Sequence, residues 1–345
     1  MKKDFVSRRN FIRKTALTAG IGAVAPSGLI RSGTLPGSFN EYSAREIWIA
    51  GVSQADMTAD TPRQMGRKIL DLLKDILVYQ PDFVCLPEAF PFLYSKQDLT
   101  PGQRVEISDG ILDEFSGFSA QNNCYTICPV YTRADGGIYN SAVAFDRKGN
   151  RIGIYNKIHP TEEEIEYGIL PGALSQSVIQ TDFGPAGIQI CFDINWQDGW
   201  KMLRAQGAKI IFWPSAYAGG ITVNTKAWQT KCIVASATNK NTSKLCDITG
   251  ETITQTGIWN RNLYCGPVNP EKAFLATWPY VNRFSEIQNK YGRKVRITTY
   301  HEEEWSVIES LSLDVLVKDI LREFDLKTYE EHISSAEAVQ EKNRK

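Results

Sequence analysis

The chain has 345 residues, 42% of them hydrophobic, enough to build one large core or two modest ones. No apolar run approaches the roughly 20 residues of a membrane-spanning helix, and 39 basic side chains balance 39 acidic ones, so neither a membrane span nor a nucleic-acid partner is expected. Three scattered histidines (His159, His301, His332) and seven irregularly spaced cysteines provide neither metal-ligand spacing nor a disulfide framework, so no metal and no other cofactor is expected.

The N-terminus stands apart. Ser7 to Lys14 is a basic block with paired Arg8 and Arg9, followed by Phe11-Ile12 and then a mildly apolar, Ala/Gly-rich run from Thr15 to Ala25. This block resembles a twin-arginine export signal. Ala23-Val24-Ala25 is a cleavage candidate, with Pro26 directly after it. The resemblance implies a protein that folds before export and works in the periplasm or another extracytoplasmic space, with Cys191 a free thiol. Without residues 1–25 the chain holds 33 basic and 38 acidic side chains, a mildly acidic balance. Residues 1–43 are accordingly read as signal and linker, the linker being the Gly/Ser/Pro-rich stretch from Ser27 to Ser43.

Beyond the linker, strands and helices alternate. Glu46 to Val52 reads as a strand from its β-branched alternation. Thr61-Pro62 opens a helix to about Tyr79, with Ile69, Leu72, Leu73, Ile76 and Leu77 forming its apolar stripe. Asp82 to Leu86 is nearly all apolar, as a strand buried on both faces should be. A helix over Ile111 to Asn122 and a strand over Tyr125 to Thr132 follow. Tyr139–Asp146 and Arg151–Lys157 read as a hairpin around Lys148-Gly149-Asn150. Gly184–Cys191 and Lys209–Trp213 are predicted strands flanking a helix from Gln197 to Gln206. Lys226 to Thr238 is predicted as one further helix, and Ser243 to Thr256 as a hairpin turning at Gly250. This pattern predicts an α/β fold with mixed sheets over 44–270. Residues 271–345 read as a C-terminal extension; its last part, 301–345, carries twelve acidic against six basic side chains and a helix from Asp314 to Glu323, an appended arm more than core.

Three polar residues sit where buried strands stop, which is where functional groups collect in open α/β sheets. Glu88 follows Phe83-Val84-Cys85-Leu86-Pro87, Lys157 follows Ile152-Gly153-Ile154-Tyr155-Asn156, and Cys191 follows Ile188-Gln189-Ile190. Each has a bland reading alone: an inert buried thiol, a helix-capping or surface acid, a solvated lysine. Together they have a joint chemistry. An ammonium favours the thiolate and stabilises an oxyanion, while a carboxylate takes the thiol proton, passes it to a leaving amine and activates water. A cysteine at a strand-to-helix corner also presents its sulfur beside the backbone N–H groups that follow.

The segments Phe83-Val84-Cys85-Leu86-Pro87-Glu88, Tyr155-Asn156-Lys157-Ile158-His159-Pro160 and Gly187-Ile188-Gln189-Ile190-Cys191-Phe192-Asp193 resemble, in order and spacing, the three signature segments of the nitrilase (carbon–nitrogen hydrolase) superfamily. Gly207 to Ser215 is similar to the strand that follows the nucleophile there. The resemblance covers about residues 45–270. It implies a four-layer α-β-β-α sandwich that forms homo-oligomers through the helical face near the nucleophile. It implies Glu88 as general base, Lys157 as oxyanion-stabilising cation and Cys191 as nucleophile. The family's second glutamate, which lies between the lysine and a Pro-Gly, has Glu162, Glu163, Glu164 and Glu166 as candidates before Pro171-Gly172; Glu164 is favoured and Glu166 is the alternative. Cys191-Phe192-Asp193 is similar to the amidase and carbamoyl-amide hydrolase branches, whereas nitrilases usually have Cys-Trp-Glu there.

The resulting expectation is hydrolysis of a non-peptide C–N bond in a small amide or carbamoyl-amine through a cysteine thioester. Phe192, by its N–H, and Trp196 are the substrate-binding candidates; Tyr217 and Trp213 are further pocket candidates, Trp213 fitting the core better. Nitrile hydrolysis is the first alternative. A binding protein that keeps the fold without the chemistry, and acyl transfer to an amine, are the others; members of the last kind are usually embedded in a membrane.

Replacing Arg8 and Arg9 together by lysine is expected to strand folded, active, uncleaved protein in the cytoplasm. Cell fractionation checks this, and unaltered export would reduce the pair to a generic basic segment.

Overall fold

A computed structural model describes residues 46–344 apart from 258 and 260. The paired arginines Arg8 and Arg9, the cleavage candidate at Ala23–Ala25 and the linker to Ser43 lie outside the described residues. Strand formation follows from strict alternation of apolar side chains. In β1 (Ile47–Val52), Ile47 and Ile49 face one way and Ala50 and Val52 the other; in β2 (Phe83–Cys85), Phe83 and Cys85 oppose Val84. β3 (Tyr125–Ala134), β4 (Gly137–Phe145) and β5 (Arg151–Asn156) continue this sheet. The second sheet is built from β6 (Ile179–Thr181), β7 (Gly184–Ile188), β8 (Ile210–Ser215), β9 (Ile233–Thr238), β10 (Lys244–Cys246) and β11 (Thr252–Gln255). β12 (Leu263–Val268) returns to the first, giving two six-stranded sheets ordered β12-β1-β2-β3-β4-β5 and β11-β10-β9-β8-β7-β6.

Both sheets are therefore apolar on two faces. Ile49, Phe83 and Ile127 of the first sheet pack against Ile188, Ile210, Phe212 and Ile233 of the second, forming the central core. The outer faces are covered by helices: α1 (Pro62–Leu73), the short α2 (Phe90–Leu93) and α3 (Pro101–Asn122) on the first sheet. Past the single-turn α4 (Glu162–Glu166), α5 (Asp198–Ala205) and α6 (Ile221–Thr230) cover the second. The architecture is the expected α-β-β-α sandwich. No helix among the described residues is long and apolar enough to cross a membrane.

Three element predictions need correction. The single helix expected over Lys226–Thr238 is two elements: α6 ends at Thr230, Lys231 takes a left-handed conformation (φ 54°), and β9 follows. Helix-compatible spacing in Lys226–Lys231 had masked the alternation of Ile233, Ala235 and Ala237 with Val234 and Ser236, and the central place of β9 between β8 and β10 decides the outcome. The helix expected from Ile111 starts ten residues earlier, at Pro101, where Thr100 and Gln103 form a reciprocal capping box. The helix opened by Thr61-Pro62 changes to a tighter 3-10 form over Lys74–Tyr79.

The segment after Pro270 also differs from a bare arm. β13 (Lys272–Ala276), β14 (Val295–Tyr300) and β15 (Trp305–Ser310) form an antiparallel sheet in the order β13-β15-β14. With α7 (Val281–Tyr291) and α8 (Val317–Glu323) it encloses a core of its own, including Leu275, Ile287, Ile308 and Ile320. Phe274 and Val307 join the central core of the sandwich. α9 (Tyr329–Asn343) closes the chain, its capping box formed by Thr328 and Glu331.

Phe212 is fully buried between the sheets, its ring 5.2 Å from that of Phe83. Phe212→Ala is expected to destabilise the fold by about 3–5 kcal/mol, whereas Val78→Ala, at an 81% exposed side chain, should change stability by no more than about 0.5 kcal/mol. Urea denaturation midpoints of the two variants check this.

Candidate active site

Glu88, Lys157 and Cys191 come together although 103 residues separate the first from the last. Glu88 lies just beyond the C-terminal end of β2, and Lys157 follows the last residue of β5, its N–H bonded to the Asn140 carbonyl at 2.8 Å. Cys191 follows β7 of the opposite sheet and begins a 3-10 turn, Cys191–Asn195. Its φ of 45° is left-handed, as is the 42° of Ala89 beside Glu88. Non-glycine residues in this region are strained and persist where surrounding contacts over-determine them.

The Lys157 ammonium donates to Glu88 Oε1 at 2.7 Å and to Glu164 Oε2 at 2.6 Å, its side chain only 2% exposed. Asn140, on β4, donates through Nδ2 to Glu88 Oε1 and Glu164 Oε1, both at 2.8 Å, and so fastens the two carboxylates together. The second Glu88 oxygen accepts the Ala216 N–H at 2.7 Å. Asn239 donates to the Glu88 carbonyl at 3.0 Å. Both sheets therefore hold this one side chain.

Electrostatics follow from this geometry. Burial alone would depress the lysine, but Glu88, Cys191 and Glu164 outweigh it and hold Lys157 well above its usual range. Burial also opposes the Glu164 charge, yet Lys157 and hydrogen bonds from Asn140 and Thr161 keep it below the ordinary carboxylate range. At Cys191 the balance goes the other way. Burial and then Glu88 push the thiol up, more than Lys157 and a hydrogen bond with Ser215 pull it down. The lysine pulls the Cys191 thiol down, as expected of it, and burial together with Glu88 outweighs that pull.

Of the four glutamates of the Thr161–Glu166 stretch, Glu164 is the one that meets Lys157. Thr161 caps α4, and Glu164 bonds back to its N–H at 2.8 Å while its carboxylate also meets Lys157. Glu162, Glu163 and Glu166 are exposed. Trp196 and Phe192 pack edge to face at 5.1 Å, and Trp196 stacks on His159 at 3.9 Å. Trp213 is wholly buried and its indole N–H donates to the Cys191 carbonyl at 3.0 Å, so it serves the core and holds the Cys191 backbone. Tyr217 packs on Trp213, and its hydroxyl is pushed up to about 12 by burial and by Cys191 and Glu88.

Sequence reasoning missed two residues. Asn140 lies within β4 and not at a strand end, so the signal that singled out Glu88, Lys157 and Cys191 does not reach it. Asp193, fully buried, accepts from Tyr155 Oη at 2.8 Å, from the Ile190 N–H at 2.9 Å and from the His159 N–H at 2.8 Å. It thus ties the Cys191–Asn195 turn to the strand that leads into Lys157.

Glu88 and Lys157, at strand ends of one sheet, and Cys191, after a strand of the other, are thus gathered in one place. The Carbon-nitrogen hydrolase family profile matches residues 49–273, and the chain belongs to this family. The nitrilase and fragile histidine triad fusion protein NitFhit of Drosophila melanogaster is 25% identical over 205 residues, 54% of this chain and 44% of that protein. Deaminated glutathione amidase of Bos taurus is 24% identical over 217 residues, 56% of this chain and 66% of that one. The chain thus spans less than two thirds of the length of these relatives. A carbon-nitrogen hydrolase from Helicobacter pylori G27 superposes with a TM-score of 0.58 at 18% identity, covering 72% of this chain and 93% of that one. A mutant amidase from Nesterenkonia sp. AN1, with the acetamide moiety of fluoroacetamide covalently added at its active-site cysteine, superposes with a TM-score of 0.57 at 17% identity, covering 75% and 100%. These structures share the fold with this chain.

Removing the Glu164 charge with its shape kept, Glu164→Gln, is expected to lower kcat by at least about tenfold, while Glu166→Gln behaves like wild type. Steady-state kinetics of the pair check this; a crippled Glu166→Gln beside a normal Glu164→Gln would reverse the assignment.

Proposed function

We propose that the protein hydrolyses a small amide or carbamoyl-amine through a thioester on Cys191. The observation that carries this reading is the convergence of a thiol, a carboxylate and an ammonium: Glu88 holds Lys157 at 2.7 Å, and both act electrostatically on Cys191. Family membership supports the reaction class, and the similarity to deaminated glutathione amidase supports the amide.

The geometry translates into steps. Glu88 takes the thiol proton as the sulfur attacks the carbonyl carbon, so thiolate forms only when there is something for it to attack. The oxyanion is met by the Lys157 ammonium and the Phe192 N–H. Glu88 passes its proton to the leaving nitrogen, and ammonia or an amine departs as the C–N bond breaks. Water, deprotonated by Glu88, then attacks the thioester, and the second intermediate collapses to the acid and regenerates the Cys191 thiol. Glu164 keeps Lys157 charged and fixed and exchanges no proton with substrate. Phe192 and Trp196, together with Tyr217, form the aromatic wall of the substrate subsite.

Cys191→Ala is expected to abolish turnover by several orders of magnitude while the protein stays folded. Acid-quenched wild-type enzyme should carry the substrate's acyl mass on the Cys191 peptide. A stoichiometric adduct found only on Cys85 or Cys232, or a Cys191→Ala variant retaining more than about a tenth of the activity, would overturn the covalent mechanism.

A further inference from the structure

A second group of basic side chains lies where the segment after Pro270 meets α5 and α6. Two adjoining cavities, of about 390 and 920 Å³, share Arg204, Lys231, Thr328 and Glu330 in their walls. Lys231 is 7% exposed. Its ammonium lies 3.7 Å from the centre of the Trp228 ring, 4.2 Å from that of Phe274 and 4.8 Å from that of Tyr329. Among the described residues it makes no hydrogen bond and no ion pair. Three ring faces attract a cation but offer no lone pair in line with its N–H groups, so the donors facing the cavity go unanswered.

The carboxylates at hand are already engaged. Glu330 accepts from Arg204 at 2.8 Å, and Glu271 accepts the Val317 N–H at 2.9 Å and faces Lys209 at 3.7 Å. Lys272 is held by Asp247 at 3.0 Å. Burial therefore dominates Lys231 and pushes it down to about 8, with Glu330 pulling the other way from a distance. With Arg204, Lys209 and Lys272 paired to carboxylates, the exposed Lys318 adds positive charge to the smaller cavity, whose remaining wall includes Ile233, Ile248 and Leu321. A buried charge without a bonded counter-charge, opening onto a basic cavity with an apolar wall, is complementary to an amphiphilic anion.

We propose that this cleft binds a small organic carboxylate with an apolar body, its carboxylate against the Lys231 ammonium and its body against Ile233, Ile248 and Phe274. The site is separate from the Glu88–Lys157–Cys191 cluster and does not depend on its chemistry.

Isothermal titration of the full chain at low ionic strength tests this, with hexanoate, inorganic phosphate and hexylamine as probes. Hexanoate is expected to bind at one site per chain, phosphate at least about tenfold more weakly, and hexylamine not at all. Lys231→Met keeps the stem and removes the charge, and should weaken hexanoate at least about tenfold while leaving amide turnover unchanged. Lys318→Glu, at an exposed position that does not threaten folding, should weaken it a few-fold and keeps the test valid if Lys231→Met does not fold. No saturable binding of hexanoate to the wild-type protein would overturn the proposal. So would phosphate or hexylamine binding as tightly as hexanoate, or an affinity for hexanoate that neither variant changes.

Discussion

The ammonium of Lys157, buried between the carboxylates of Glu88 and Glu164, is the constraint on which the site depends. An isolated charge at this depth would be costly, and a buried pair with one partner removed is strongly destabilised. With two carboxylates bound to one ammonium, and Asn140 bonded to both, the three charges hold one another in a fixed geometry. Burial pushes the Cys191 thiol up, and the net negative charge that the arrangement leaves beside it adds to this despite a lysine nearby. In the proposed reaction that feature is an advantage, since the proton leaves sulfur only as the carbon–sulfur bond forms.

That geometry requires the two sheets to meet in one register. Glu88, Asn140 and Lys157 are carried by the first sheet, and Cys191 and the Ala216 N–H by the second. The Ser53–Thr238 bridge and the Gln54 N–H bonded to the Thr238 carbonyl at 2.9 Å join the strand ends beside the site. Asp193 supplies the other brace, linking the nucleophile turn to Tyr155 and His159. The packed apolar layer between the sheets, with Phe83 against Phe212, sets their separation, so core packing and catalytic geometry are parts of one problem.

Lysine burial recurs on the second sheet with a different resolution. Lys226, 2% exposed, donates to the Trp196 carbonyl at 3.0 Å, and Lys231 sits in its aromatic cage. Neither has a bonded carboxylate, and burial brings each down to about 8, whereas Lys157 is driven upward. The contrast isolates the cause: desolvation acts on all three, and only bonded carboxylates reverse it.

The sequence by itself determined the α/β class, most strands and the three catalytic candidates. Alternation of apolar side chains specifies which faces are buried, and a polar residue ending a buried strand is visible without coordinates, as at Glu88, Lys157 and Cys191. Asn140 escapes that logic, because it lies inside β4 and meets the two glutamates only in space. That Glu164 and not Glu166 meets Lys157 is visible only in space, because it depends on Thr161 capping α4 and on which side of a single turn faces the lysine. The split of Lys226–Thr238 into α6 and β9 likewise rests on the place reserved for a strand between β8 and β10. The Asp193 brace and the Lys231 cage are assembled from residues far apart in the chain, and local propensity carries no information about such meetings; tertiary packing alone made them.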